Sequence, residues 1–133
     1  MSAGYSGTPL AKKLSLKDGL SVWFHTMPES VRAEIGEIAL DEHDAPTAGL
    51  QAAHVFTTER AELERLLTEL RTLIDPAGFV WVSWPKKASK MPTDISEDVI
   101  RAVALPTGWV DVKVCAVDAV WSGLKLMIRK ELR

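Results

Sequence analysis

The sequence predicts a three-layer α/β sandwich on a mostly parallel sheet, closed by a C-terminal antiparallel hairpin. Three observations carry that expectation. Leu20–His25, Ala52–Thr57 and Phe79–Trp84 are apolar at nearly every position, as strands buried on both faces are. Helical patterns fall between them, the clearest with Leu63, Leu66, Leu67, Leu70, Leu73 and Ile74 at i, i+3, i+4, i+7 spacing. The last third alternates apolar and polar residues, Val110 to Val117 and again Trp121 to Lys130, as a half-exposed hairpin does. Parallel strands joined by helices require right-handed crossovers and helices on both faces.

Each element has a local reason. Thr8-Pro9 reads as a hydroxyl N-cap with proline at the first helical position, opening a short helix to about Leu14. Asp18-Gly19 supplies a turn into the first strand. Pro28 opens a second helix, Glu29 to about Ile35, and Glu37 to Leu40 is read as a weak strand. Residues 41–49 are loop by composition. Thr58 is expected to cap the helix from Glu59 to Ile74, and Asp75-Pro76-Ala77-Gly78 to turn the chain into the third strand. Thr93 or Asp94 then caps a helix from Asp94 to Leu105, with Glu97 completing a capping box and Pro106 and Gly108 ending it. In the hairpin, Val110, Val112, Val114 and Ala116 are expected on one face and Asp111 and Lys113 on the other.

A chain of 133 residues fits one domain, residues 1–133, with residues 1–8 as a small, polar, mobile arm. It can bury roughly two thirds of its unfolded surface, enough to fold without a disulfide or metal. A net charge of −2 disfavours nucleic acid as a partner, although a local basic patch is compatible with it. Cys115 is the single cysteine, so no disulfide forms within the chain and a reducing cytoplasm is the expected location. No segment approaches about 18 consecutive apolar residues, so no membrane helix is expected.

The run Leu70-Arg71-Thr72-Leu73-Ile74-Asp75-Pro76-Ala77-Gly78-Phe79-Val80-Trp81-Val82-Ser83, with its helix, Pro-Gly turn and strand, resembles the second half of a class I S-adenosylmethionine-dependent methyltransferase. The resemblance covers roughly residues 50–130. It implies a Rossmann-like fold with a terminal antiparallel hairpin. The whole chain also resembles a small bacterial family, a domain of unknown function. The matching segments are Gly4 to Leu14, Trp81 to Ser89, Val110 to Asp118 and Trp121 to Lys125. That resemblance implies a bacterial cytosolic origin and no particular activity. The methyltransferase pattern also implies a glycine turn after the first strand and an acid ending the second. Here the turn is Phe24-His25-Thr26-Met27-Pro28-Glu29, with no glycine, and Asp41 or Glu42 stands for the acid. Side chains at every position block close backbone approach to a ligand. No cofactor is therefore expected in the usual manner.

Parallel strands bring their carboxyl ends to one edge. The candidate ligand-binding residues there are Thr8, His25, Thr57, Ser83, Lys86, Lys87, Ser89, Lys90, Thr93, Asp118 and Trp121. Three lysines among hydroxyls beside a helix start suit a phosphate or carboxylate. The same lysines also read as a solvated surface loop. His25 stands where a first-strand functional group would lie, or is simply a hydrogen-bonded strand end. His54 interrupts an apolar strand as a satisfied core side chain would. Asp41-Glu42-His43-Asp44 has metal-ligand chemistry without defined spacing, so no metal is expected. Cys115 reads as packing, and no nucleophile–base order stands out, so no catalytic residue is assigned.

Two functions follow as expectations. The first is a non-catalytic module binding a small anion or a protein partner through a degenerate cofactor edge. The second is a divergent S-adenosylmethionine-dependent methyltransferase-like enzyme with His25 or Asp118 as base. The open edge left by the hairpin is one a second copy would cover, giving a homodimer.

Overall fold

The computed structural model describes residues 8–133; residues 1–7 of the expected N-terminal arm lie outside them. The helices are α1 (Leu10–Lys13), α2 (Glu29–Ile35), α3 (Arg60–Leu73) and α4 (Glu97–Ala104). The strands are β1 (Ser21–His25), β2 (Asp41–His43), β3 (Leu50–Phe56), β4 (Ile74–Pro85), β5 (Trp109–Ala116) and β6 (Trp121–Ile128). They form one sheet in the order β2-β1-β3-β4-β6-β5. The β2, β1, β3 and β4 neighbours pair parallel, and β6 pairs antiparallel with both β4 and β5. This is the α/β Rossmann-like arrangement with an antiparallel C-terminal hairpin, and β6 lies inside the sheet, not at its rim.

The two faces carry separate cores. Leu63, Leu66, Leu67 and Leu70 of α3 and Ile100 and Val103 of α4 pack on Val55, Val80, Val82, Leu124 and Leu126. Leu10 of α1, its C-cap Leu14 and Val31 of α2 cover Val22, Ala52, Phe56, Trp81 and Val117 on the other face. Burying each leucine, isoleucine, valine or phenylalanine among them contributes about 1.5–3 kcal/mol. Two tryptophans fasten helices to these cores. Trp81 donates Nε1–H to the Leu14 carbonyl at 3.0 Å, and Trp109 donates to the Leu67 carbonyl at 3.3 Å.

Several local expectations need correction. The weak strand at Glu37–Leu40 does not form, because Ala39 bonds to the Asp18-Gly19 turn: its N–H donates to Asp18 Oδ1 and its carbonyl accepts from Gly19. The ladder starts at Asp41, whose N–H donates to Leu20, so β2 occupies residues read as loop. Thr8 makes no cap bond to α1, and Thr58 does not cap α3. Asp94 does that from a distance, and α4 starts later, capped by Ser96 accepting from the Val99 N–H at 3.2 Å. The Asp75–Gly78 turn is absorbed into β4, with a register irregularity opposite Leu50 and Ala52. In the hairpin, Asp111 faces Leu126 and Lys113 faces Lys125, so a bulge at Val112 swaps the faces beyond it. The expected single-face alternation is therefore broken, and Val112 and Val114 are both exposed. Among the described residues no helix is long and apolar enough to cross a membrane.

Candidate functional site

The parallel pairing sets the ends of β1, β3 and β4 side by side, and the antiparallel β6 begins at the same edge with Trp121 opposite Pro85. What the candidate residues do there is decided by their hydrogen bonds. Most are used within the chain. Ser83 is fully buried, 2.7 Å from His54 Nε2. Burial holds His54 well below the usual imidazole range, at about 3, so it is neutral. The Thr57 hydroxyl accepts from the Glu59 N–H at 3.2 Å. Lys86 donates Nζ–H to the Asp118 carbonyl at 2.6 Å, and Asp118 Oδ1 accepts from Val120 and Trp121. These bonds lock the β5–β6 turn onto the end of β4. Ser89 donates to the Lys86 carbonyl and accepts from Met91.

The β4–α4 loop is tied to the β3–α3 loop by neighbouring residues. The Thr93 hydroxyl donates to the Thr58 carbonyl at 2.7 Å, and Asp94 Oδ1 accepts from the Arg60 N–H at 2.7 Å. Asp94 thus satisfies an otherwise orphaned N–H at the start of α3. Between these ties and the end of β4 opens a cleft of about 560 Å³. Trp84, Pro85, Met91, Pro92 and Ile95 supply its apolar lining, with Lys86, Lys87, Lys90, Thr93, Asp94 and Ser96 as its polar groups. Lys90, one of the lining residues, adopts the left-handed conformation with φ +59°. Among the described residues, the Lys87 and Lys90 amines have no hydrogen-bond or ion-pair partner, so their charge is available to a ligand.

The remaining candidates lie elsewhere. Thr8 is exposed ahead of α1. Trp121 packs edge-on against Phe56, ring centres 5.2 Å apart, on the face opposite the cleft. His25 ends β1 with Nε2 at 3.3 Å from Glu62 Oε2 of α3, inside ion-pair distance but off the alignment of a hydrogen bond. Burial pushes the Glu62 carboxyl up; contacts from Thr57 and His25 and the His25 and Arg65 charges outweigh it, and the group ends below its ordinary value. The expected cluster is therefore two sites: the lysine cleft, and a histidine–carboxylate pair at the tips of β1 and α3. Reading the sequence missed Glu62 because it stands on the predicted helix, three residues from any loop.

The turn after β1 does not fit an S-adenosylmethionine backbone cradle. Thr26 takes φ +50°, the conformation a glycine would take, but its hydroxyl donates to the Phe56 carbonyl at 2.7 Å. Met27 packs onto the α1/α2 core, and Pro28 has no N–H to offer. On β2, Asp41 and Glu42 lie level with Ser21 and Val22, short of the edge. Glu42 is held by Arg32 through two bonds of 2.9 Å, which keep its carboxyl below the ordinary value against the effect of burial. Asp41 lies 3.4 Å from His43. The acid nearest the edge is Asp44, exposed just beyond β2.

No family model matches the chain, and no curated protein matches it. Its likeness is to solved structures. A protein from Sulfolobus solfataricus described as a type 11 methyltransferase superposes with a TM-score of 0.64 at 10% identity, covering 91% of this chain and 90% of that one. A SAM-dependent methyltransferase from Aquifex aeolicus gives a TM-score of 0.64 at 15% identity, covering 90% and 87%. LepI in its complex with SAM gives 0.56 at 10% identity; it covers 90% of this chain, which spans only 39% of LepI. The chain has the class I methyltransferase-like fold.

Proposed function

We propose that the chain is a divergent S-adenosylmethionine-dependent methyltransferase-like enzyme in which side chains, not a glycine turn, meet the cofactor. One observation carries the reading: two solved structures described as methyltransferases superpose over about nine tenths of themselves and of this chain. The likeness therefore extends to whole proteins of comparable length. In this reading the exposed Asp44 beyond β2 accepts hydrogen bonds from the ribose hydroxyls, and His25, beside Glu62, faces the substrate from the tip of β1. Calorimetric titration with S-adenosylmethionine and S-adenosylhomocysteine tests it. Binding by the wild type that weakens in Asp44→Ala is the expected result. Silence from the wild type at millimolar ligand removes the reading.

A second reading is favoured by the filled Thr26–Pro28 turn. It is a non-catalytic module that grips a small anion or a protein tail with Lys87 and Lys90 over the Trp84 floor. Its mark would be a thermal shift produced by phosphate or carboxylates but not by S-adenosylmethionine, and abolished by Lys87→Ala with Lys90→Ala.

A further inference from the structure

At the opposite end of the sheet, where the strands begin, a second constellation has the parts of a reaction centre. Ser15 follows α1 with φ +62°, a conformation uncommon for a residue with a side chain. Its hydroxyl is 3.0 Å from Nζ of Lys125, which comes from β6. The contact is tertiary, made across 110 residues of sequence. Ser15 also lines a cleft of about 290 Å³ whose apolar side is Leu20, Ala77 and Phe79 and whose polar side is Lys17, Gln51 and Asp75. The Lys125 Nζ also lies 4.5 Å from the Phe79 ring centre and 6.0 Å from that of Trp81. We propose that Ser15 and Lys125 form a nucleophile–base pair that takes the acyl group of a small activated ester or thioester bound in this cleft.

The surroundings suit those roles. Burial, and then the charge of Lys113 on β5, lower the pKa of the Lys125 amine, while the two ring faces favour its charged form and hold it in place. As an ammonium, Nζ donates to Ser15 Oγ. As a neutral amine it accepts the Ser15 O–H, which readies the oxygen for attack. The serine oxygen then forms a bond to the acyl carbon, and its proton passes to Nζ. The leaving alkoxide or thiolate collects that proton as its bond to carbon breaks. Water attacks the acyl-serine, gives a proton to Nζ, and releases the acid while Ser15 recovers its hydrogen. Leu20, Ala77 and Phe79 offer an apolar side to a short acyl chain, and Lys17 and Asp75 leave the rest of the cleft polar.

A fluorophosphonate probe, read by intact mass and peptide mapping, tests the pair directly. The folded wild type should acquire one adduct, on the peptide that carries Ser15. Ser15→Ala should acquire none. Lys125→Met, which keeps an aliphatic cover on Phe79, should label at least about tenfold more slowly with its melting temperature preserved. If that variant unfolds, Lys125→Arg retains the charge without a usable base, and slow labelling of it carries the same meaning. Absence of any adduct on the wild type, or labelling of Ser15 at an undiminished rate in a folded Lys125 variant, overturns the proposal.

Discussion

Asp94 caps a helix to which it does not belong. Its Oδ1 accepts from the Arg60 N–H of α3 at 2.7 Å, although Asp94 stands three residues before α4. One carboxylate thereby joins two helix entries and forms a wall of the lysine cleft. Asp94→Ala should destabilise the fold by about 1 kcal/mol, a typical loss for an N-cap acceptor. Asp94→Asn, which keeps the acceptor, should lose less. Urea unfolding of both variants measures the difference.

His54 makes stability depend on acid. In the unfolded chain a histidine takes its proton near 6.5, but in the fold His54 stays neutral until about 3. Protons thus bind the unfolded state preferentially between those values. The contribution is complete above pH 6.5 and is lost as pH falls, at up to about 1.4 kcal/mol per pH unit. His54→Gln removes the titration while leaving a polar group beside Ser83. Its melting temperature should fall less steeply with acidification than the wild type's, and parallel curves would refute the assignment.

Trp81 holds α1 to the sheet through the Leu14 carbonyl. Trp81→Phe leaves that buried carbonyl unpartnered, at a cost of about 1–3 kcal/mol. Amide exchange should accelerate over residues 10–14 more than over α3, which packs on the other face.

Gly78 has no room for a side chain. A Cβ there would meet the Gln51 carbonyl oxygen at 2.6 Å and the Asp75 carbonyl oxygen at 3.0 Å. Both are backbone atoms, so relief requires a shift of β3 or β4. Gly78→Ala should cost about 1–3 kcal/mol by chemical denaturation, as overpacking does.

The elements written as long apolar runs were legible in the sequence. Leu20–His25 and Phe79–Trp84 declare themselves because both faces are covered, and α3 because four leucines line one stripe. β2 was not legible: Asp41-Glu42-His43 carries no apolar residue and pairs because Ser21, Val22 and Trp23 lie beside it. The hairpin faces were misread at Val112, since a bulge depends on how two strands meet and not on the pattern of either. The edge residues were recognised as polar and neighbouring, but their roles were not. Lys86, Ser89, Thr93 and Asp118 spend their hydrogen bonds on backbone groups that only the folded loops bring near. Lys87 and Lys90 differ from Lys86 in no sequence property, and only the position of the Asp118 carbonyl separates them.

The placement of β6 inside the sheet bears on how the molecule is made. Among the described residues β5 pairs with β6 alone, and β4 has one flank bare until β6 arrives. A ribosome that has delivered everything through residue 116 has therefore exposed β4 and β5 with nothing to bridge them. The strand that follows β5 is the one that joins them, so assembly of this half must wait for Ile128 to clear the exit tunnel.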